Sequence, residues 1–144
     1  MSGIDLASSE HEKARRMLAE ELIAWFTTVG PDGTPHAVPV WFFWDDGRAW
    51  VFSRPETVKV KHVAAGSRVV LHLNAGGEFG DDVVILTGTA EIDPRGAAEV
   101  LTGFREAYES KYSAAIADYG MPLEQIGESF STAIAFTPEK LQTW

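Results

Sequence analysis

Runs of β-branched and aromatic residues, cut at short intervals by Pro, Gly and Asp, fill the first two thirds of the chain. Leu22 to Val29, His36 to Trp44 and Arg48 to Ser53 each read as a strand. Between them lie Pro31-Asp32-Gly33-Thr34 and Asp45-Asp46-Gly47, where glycine accepts a left-handed backbone. Three strands and two tight turns predict an antiparallel meander. Before it, Ser9 to Glu21 reads as a short amphipathic helix, with Ser9 and Glu12 at capping-box spacing. After it, Pro55 breaks the pattern, and Glu56 to Ala65 reads as a short helix ending at Gly66. Arg68 to Asn74 is a fourth strand, Ala75 to Asp81 a glycine-rich loop, and Asp82 to Ile92 a long fifth strand. Pro94, capped by Asp93, opens a helical stretch towards Ser110 that continues, broken, to Asp118. Pro122 to Ser129 is a further short helix. Thr132 to Phe136 is the last strand, and a tail runs to Trp144.

One domain is expected over residues 1–144: an N-terminal helix (9–21), strands and a basic segment (22–92), a helical region (93–130), and a last strand and tail (131–144). No repeat, low-complexity stretch or linker divides it. A doubly wound sheet needs a helix between most strands, and this chain has too few. The pattern predicts a mainly β, α+β fold: a closed or partly closed six-stranded antiparallel barrel with peripheral helices.

Composition narrows the setting. Apolar residues make up 45% of the 144, enough for an ordinary core, and there is no cysteine. Disulfides, thiolate metal sites and cysteine redox chemistry are thereby excluded. No apolar run reaches the roughly 18 residues of a membrane helix. Met1 to Arg16 is polar, without a signal-peptide core. A cytoplasmic protein with no membrane partner is expected. The net charge of −9 argues against nucleic acid as a partner. Four of the twelve basic residues (Arg54, Lys59, Lys61, Arg68) nevertheless fall between Ser53 and His72, against one acid, Glu56. A positive site on an acidic body suits a small anionic ligand.

The familiar catalytic constellations are absent. There is no Gly-x-Ser-x-Gly elbow and no His-Glu-x-x-His, and the four histidines lack metal-ligand spacing. Gly76-Gly77-Glu78-Phe79-Gly80 precedes a strand, so it is a loop and not a dinucleotide fingerprint. Asp81-Asp82 reads as a solvated pair. Ser53 to His62 carries a strand end into a helix start. There, first-turn N–H groups, the Ser53 and Thr57 hydroxyls, and Lys59 and Lys61 together suit a phosphate. The same residues also fit a bland solvated face, and the segment alone leaves both readings open. Pro39, inside a strand, marks an edge or a bulge. The run Trp41-Phe42-Phe43-Trp44 points aromatic rings to both faces, so one face must meet core and the other either a partner chain or a flat ligand.

The ordered set Trp25-Phe26-Thr27-Thr28, Asp32-Gly33-Thr34-Pro35, Pro39-Val40-Trp41-Phe42, Phe52-Ser53, Thr57-Val58-Lys59, Ser67-Arg68-Val69-Val70-Leu71 and Gly88-Thr89-Ala90-Glu91 resembles the pyridoxamine-phosphate-oxidase-like split-barrel superfamily. The chain looks most like its B-type flavin/deazaflavin oxidoreductases. The likeness spans about Leu22 to Ile92.

The resemblance implies an FMN-binding type of split barrel, paired as a homodimer with a cofactor in each of two clefts between subunits. It implies coenzyme F420 as cofactor, with FMN as the alternative. Lys59, following Thr57, matches the phosphate-binding position, and Lys61 and His62 match the next basic and polar positions. Val38, Pro39, Val40 and Trp41 match the strand along the cofactor ring, and Ser53 the small polar residue ending the next strand. Asp81 is expected near the partner's cofactor. A reductase is expected, passing hydride from reduced deazaflavin to a conjugated acceptor such as an enone, quinone or bilin, with Trp41, Phe79 and Trp144 as candidates to shape the acceptor pocket. The alternatives are an FMN-binding oxidoreductase, or a non-catalytic carrier of cofactor, haem or bilin with His36, His62 or His72 as axial ligand. The extra basic residues of true pyridoxamine-phosphate oxidation are missing.

Overall fold

Alternating burial along the strands shows which side of the sheet is core. In the computed structural model, which describes residues 4–144, β1 (Ile23–Val29) turns Ala24, Phe26 and Thr28 inward. Residues 1–3 of the polar Met1–Arg16 stretch lie outside the described residues. The other strands are β2 (Pro35–Trp41), β3 (Phe43–Asp45), β4 (Arg48–Ser53), β5 (Arg68–Leu73), β6 (Val84–Asp93) and β7 (Thr132–Thr143). They form one antiparallel sheet in the order β2-β1-β5-β6-β7-β4-β3. The two outermost strands, β2 and β3, are separated in sequence only by Phe42, so the sheet must curl until its edges nearly meet. This is the expected split barrel, with seven strands where six were read.

The difference lies at Phe42. From sequence, His36 to Trp44 reads as one strand, because no polar or glycine residue interrupts the run from Ala37 to Trp44. Phe42 is fully buried in the barrel core. Its N–H donates to Tyr112 Oη at 2.9 Å, and its carbonyl accepts from Lys111 Nζ at 3.0 Å. Side chains from a distant helix thus replace ladder partners, and the strand bends there without leaving a buried backbone group unpaired.

Other boundaries move for equally local reasons. The N-terminal helix α1 (Glu12–Glu20) follows a 3-10 turn (Ser9–His11). The cap is Ser8, whose Oγ accepts from the Glu10 N–H at 3.4 Å, and the Ser9–Glu12 box does not form. Helix α2 (Val58–Ala64) ends just before Gly66, whose φ of 91° is a left-handed value. Asp93 caps no helix. It still pairs with Ala133, and its Oδ1 accepts from the Arg95 N–H at 2.9 Å in a side-chain turn. Helix α3 (Ala97–Thr102) starts after Gly96, and α4 (Arg105–Lys111), α5 (Ser113–Tyr119) and α6 (Leu123–Ser129) complete the helical region. β7 runs on to Thr143, where a tail was expected, because Pro138 sits opposite Gly88 at a register shift and owes no ladder bond.

Two apolar layers result. Phe26, Phe42, Val51, Leu71, Leu86, Ile134 and Phe136 fill the barrel, closed by Met17 and Leu18 of α1. Ala133 and Ala135 face the other way, with Trp50, towards Val100 and Phe104. That is why β7 is buried on both faces along Ala133–Phe136. Beyond it, Leu101, Tyr108, Tyr112 and Leu123 pack on Trp41, Phe43 and Phe52. The helices therefore cover the outer face of β2, β3 and β4. No described helix is long and apolar enough to cross a membrane.

Candidate functional site

Between that outer face and the helices lies a cavity of about 440 Å³. Its floor follows from strand alternation. Val38 and Val40 pack on the barrel core, so Pro39 and Trp41 turn outward. Pro39 stands on edge strand β2, which pairs on one side only, with β1. There a missing N–H costs no ladder bond.

One end of the cavity is polar. Ser53 closes β4 and is buried, with its Oγ 3.0 Å from Thr57 Oγ1 and 2.9 Å from the Arg54 carbonyl. Lys59 Nζ donates to Thr57 Oγ1 at 3.4 Å. Among the described residues Lys59 has no acidic partner within salt-bridge distance. Burial without a counter-ion pushes its ammonium pKa below the usual lysine value. No Asp or Glu lines the cavity, and its second cation is Arg54, whose guanidinium lies 4.9 Å over the Phe130 ring. Helix α2 has only seven residues, so few peptide dipoles add up at its start. The two hydroxyls and the ammonium are the stronger elements of this end.

The other end is apolar and flat-walled. Trp41 stacks on Tyr112, with centroids 4.7 Å apart and planes at 8°. Tyr108, Tyr119, Ile126 and Phe130 close the cavity from the helical side. No carboxylate or imidazole lines it. The lining can bind and orient, and its donor set fits a phosphate joined to a planar ring.

Of the residues picked from sequence, Pro39, Val40, Trp41, Ser53, Thr57 and Lys59 line this one cavity. Val38 packs on the barrel core. Lys61 is exposed, and neither it nor His62 reaches the cavity. On a helix, a residue two positions from Lys59 points to the opposite side. His62 instead pairs its Nδ1 with Thr28 Oγ1 at 2.8 Å, beside a shallow depression at the β1–β2 turn. The His36 ring lies 6.0 Å from it. His72 Nδ1 sits 3.2 Å from the Leu73 carbonyl. No group of metal-binding side chains is assembled among the described residues. Phe79 (85% exposed) and Trp144 (60%) lie away from the cavity of their own chain. Sequence reasoning missed the helical wall of Tyr108, Tyr119, Ile126 and Phe130. Arg54 was visible in the basic stretch but not singled out.

Comparison with known proteins agrees with the split-barrel fold. The family model described as pyridoxamine 5'-phosphate oxidase matches residues 10–144. No curated protein matches the chain. Among solved structures, an F420 reductase is 20% identical with a TM-score of 0.67, covering 89% of this chain and 94% of its own. An FAD-binding protein from Mesorhizobium loti is also 20% identical, with a TM-score of 0.65 and coverage of 90% and 87%. The haem storage protein HutZ from Vibrio cholerae is 12% identical, with a TM-score of 0.66 and coverage of 92% and 93%. At such identities the likeness is one of fold.

Proposed function

The chain belongs to the pyridoxamine 5'-phosphate oxidase family, and on that premise we propose that it is an F420-dependent oxidoreductase, with FMN as the alternative cofactor. The observation that carries the reading is Lys59: a half-buried ammonium, without an acidic partner, beside two hydroxyls at the head of an aromatic trough. An uncompensated buried charge is costly, and an anion relieves it. Ser53, Thr57 and Lys59 would hold the cofactor phosphate in charge-assisted bonds. Pro39, Val40 and Trp41 would lie along its ring, under the helical wall. When bound, reduced deazaflavin supplies a hydride, which a conjugated acceptor such as an enone, quinone or bilin takes up with a proton. The chain contributes position, an apolar enclosure and the anion site. Two such chains would pair, with the cofactor sites at their interface.

Titration of the purified protein with F420 and with FMN tests this. Micromolar binding of F420 is expected. Tight FMN binding without F420 binding moves the assignment to FMN. Retention of haem with neither cofactor and no acceptor turnover replaces the enzyme with a carrier.

A further inference from the structure

Lys111 ends α4 and does not line the cavity, yet the two residues it touches, Phe42 and Tyr112, adjoin the cavity wall. Its Nζ donates to the Phe42 carbonyl at 3.0 Å and lies 3.9 Å over the Phe42 ring. The next residue, Tyr112, is fully buried. Its Oη accepts from the Phe42 N–H at 2.9 Å and lies 2.6 Å from the Leu22 carbonyl, to which it donates. Phe42 and Leu22 are the chain neighbours of Trp41 and Ile23, two cavity-lining residues. The Tyr112 ring itself stacks on Trp41.

We infer that Lys111 is a positioning residue for the cavity, fixing through Phe42 and Tyr112 the place of the Trp41 wall against which a ring must lie. The brace rests on a charge taken out of water. A neutral amine donates a weaker hydrogen bond and loses its attraction to the ring face. Burial brings the Lys111 pKa down to about 8, with Glu21, just past the end of α1, opposing the shift. Glu20 of α1 lines the same cleft, and β3 contributes only Phe43 and Trp44 there. Within its own segment the adjacent Tyr112 is titratable, and its ring centroid lies 5.2 Å from Nζ. Burial holds that phenol protonated well beyond the ordinary tyrosine range, so it stays neutral while Lys111 titrates. The wall is therefore expected to shift as pH rises through about 8.

The effect on cofactor affinity rests on the function proposed above, whereas the wall movement does not. Two readouts keep them apart. The first is the indole N–H resonance of Trp41 in ligand-free protein, followed from pH 6.5 to 9.5. The second is the dissociation constant for F420, and in parallel for FMN, over the same range. In the unmodified protein the resonance should move with a midpoint near pH 8, and affinity should fall several-fold across it. Lys111→Arg, which stays charged throughout, should abolish both changes while keeping near-neutral affinity. Lys111→Met should give the high-pH resonance and affinity at every pH. A titrating resonance with neither cofactor bound leaves the positioning role standing and removes the proposed function. Cofactor binding with a Trp41 resonance that does not titrate, or that titrates unchanged in Lys111→Arg, overturns the positioning role.

Discussion

The ring of Trp41 lies flat against that of Tyr112, centroids 4.7 Å apart, while the Tyr112 hydroxyl holds the neighbouring Phe42 backbone. One side chain thus sets both the bend that nearly closes the barrel and the wall of the cavity outside it. The sheet and the site are not independent parts of this molecule.

Removing that hydroxyl leaves the buried Phe42 N–H without its partner. Tyr112→Phe should lose about 1–3 kcal/mol of stability, the cost of an unsatisfied buried donor. Urea unfolding measures it. A loss well below that range would mean that Phe42 finds another acceptor.

Gly88 is required by close approach. A Cβ there would stand 2.1 Å from the Thr137 carbonyl oxygen, a backbone atom that cannot step aside. Gly88→Ala should destabilise by about 1–3 kcal/mol or more, as overpacking does. Gly33→Ala, whose Cβ would meet nothing within 4 Å, should lose only the strain of its φ of 83°. Thermal unfolding of the two variants should rank them in that order.

Stability should depend on pH with opposite signs on the two sides of pH 10. The folded-state pKa of Lys111 is depressed from 10.5 to about 8, so from about 8 upward the unfolded chain binds more protons and stability rises. The phenols of Tyr108 and Tyr112 are raised above 10 by burial. Above pH 10 they ionise first in the unfolded chain, and stability falls. The gain near pH 8 is global relief from burying a charge. It coexists with a locally weaker hold on Phe42. Guanidinium unfolding between pH 7 and 11 should show the maximum, and Lys111→Met should flatten its lower arm.

Lys59→Ala should weaken cofactor binding by about 1–3 kcal/mol, the worth of a charge-assisted bond, or about 5- to 150-fold in dissociation constant. Calorimetric titration gives the number. F420 affinity should also fall as salt rises, since salt screens the attraction between the anionic cofactor, whose polyglutamate tail would project over the basic segment, and the lysines there. An unchanged affinity in Lys59→Ala moves the phosphate elsewhere.

Much of this was legible in the residues. Short β-branched runs and the turns at Gly33 and Gly47 located the strands, because burial alternates where hydrophobicity does. Ser53, Thr57 and Lys59 stood out because polar and basic groups cluster at one strand-to-helix junction of an acidic chain. The break at Phe42 was not legible, because the groups that cause it come from Lys111 and Tyr112, some seventy positions away. The last strand reads as ending at Phe136, whereas the pairing of Pro138 with the shifted register at Gly88, which the residues do not reveal, lets β7 continue. Nothing in Tyr119, Ile126 or Phe130 signals which strand they will cover. Lys61 and His62 adjoin Lys59 in sequence, but helical geometry carries them away from it.

The most direct test is a crystal structure of the protein grown with F420. The account predicts the phosphate within hydrogen-bond reach of Ser53 Oγ, Thr57 Oγ1 and Lys59 Nζ, with the deazaflavin ring along Pro39, Val40 and Trp41. A phosphate bound instead in the His36–His62 depression, or a ring outside the Trp41 trough, would contradict it.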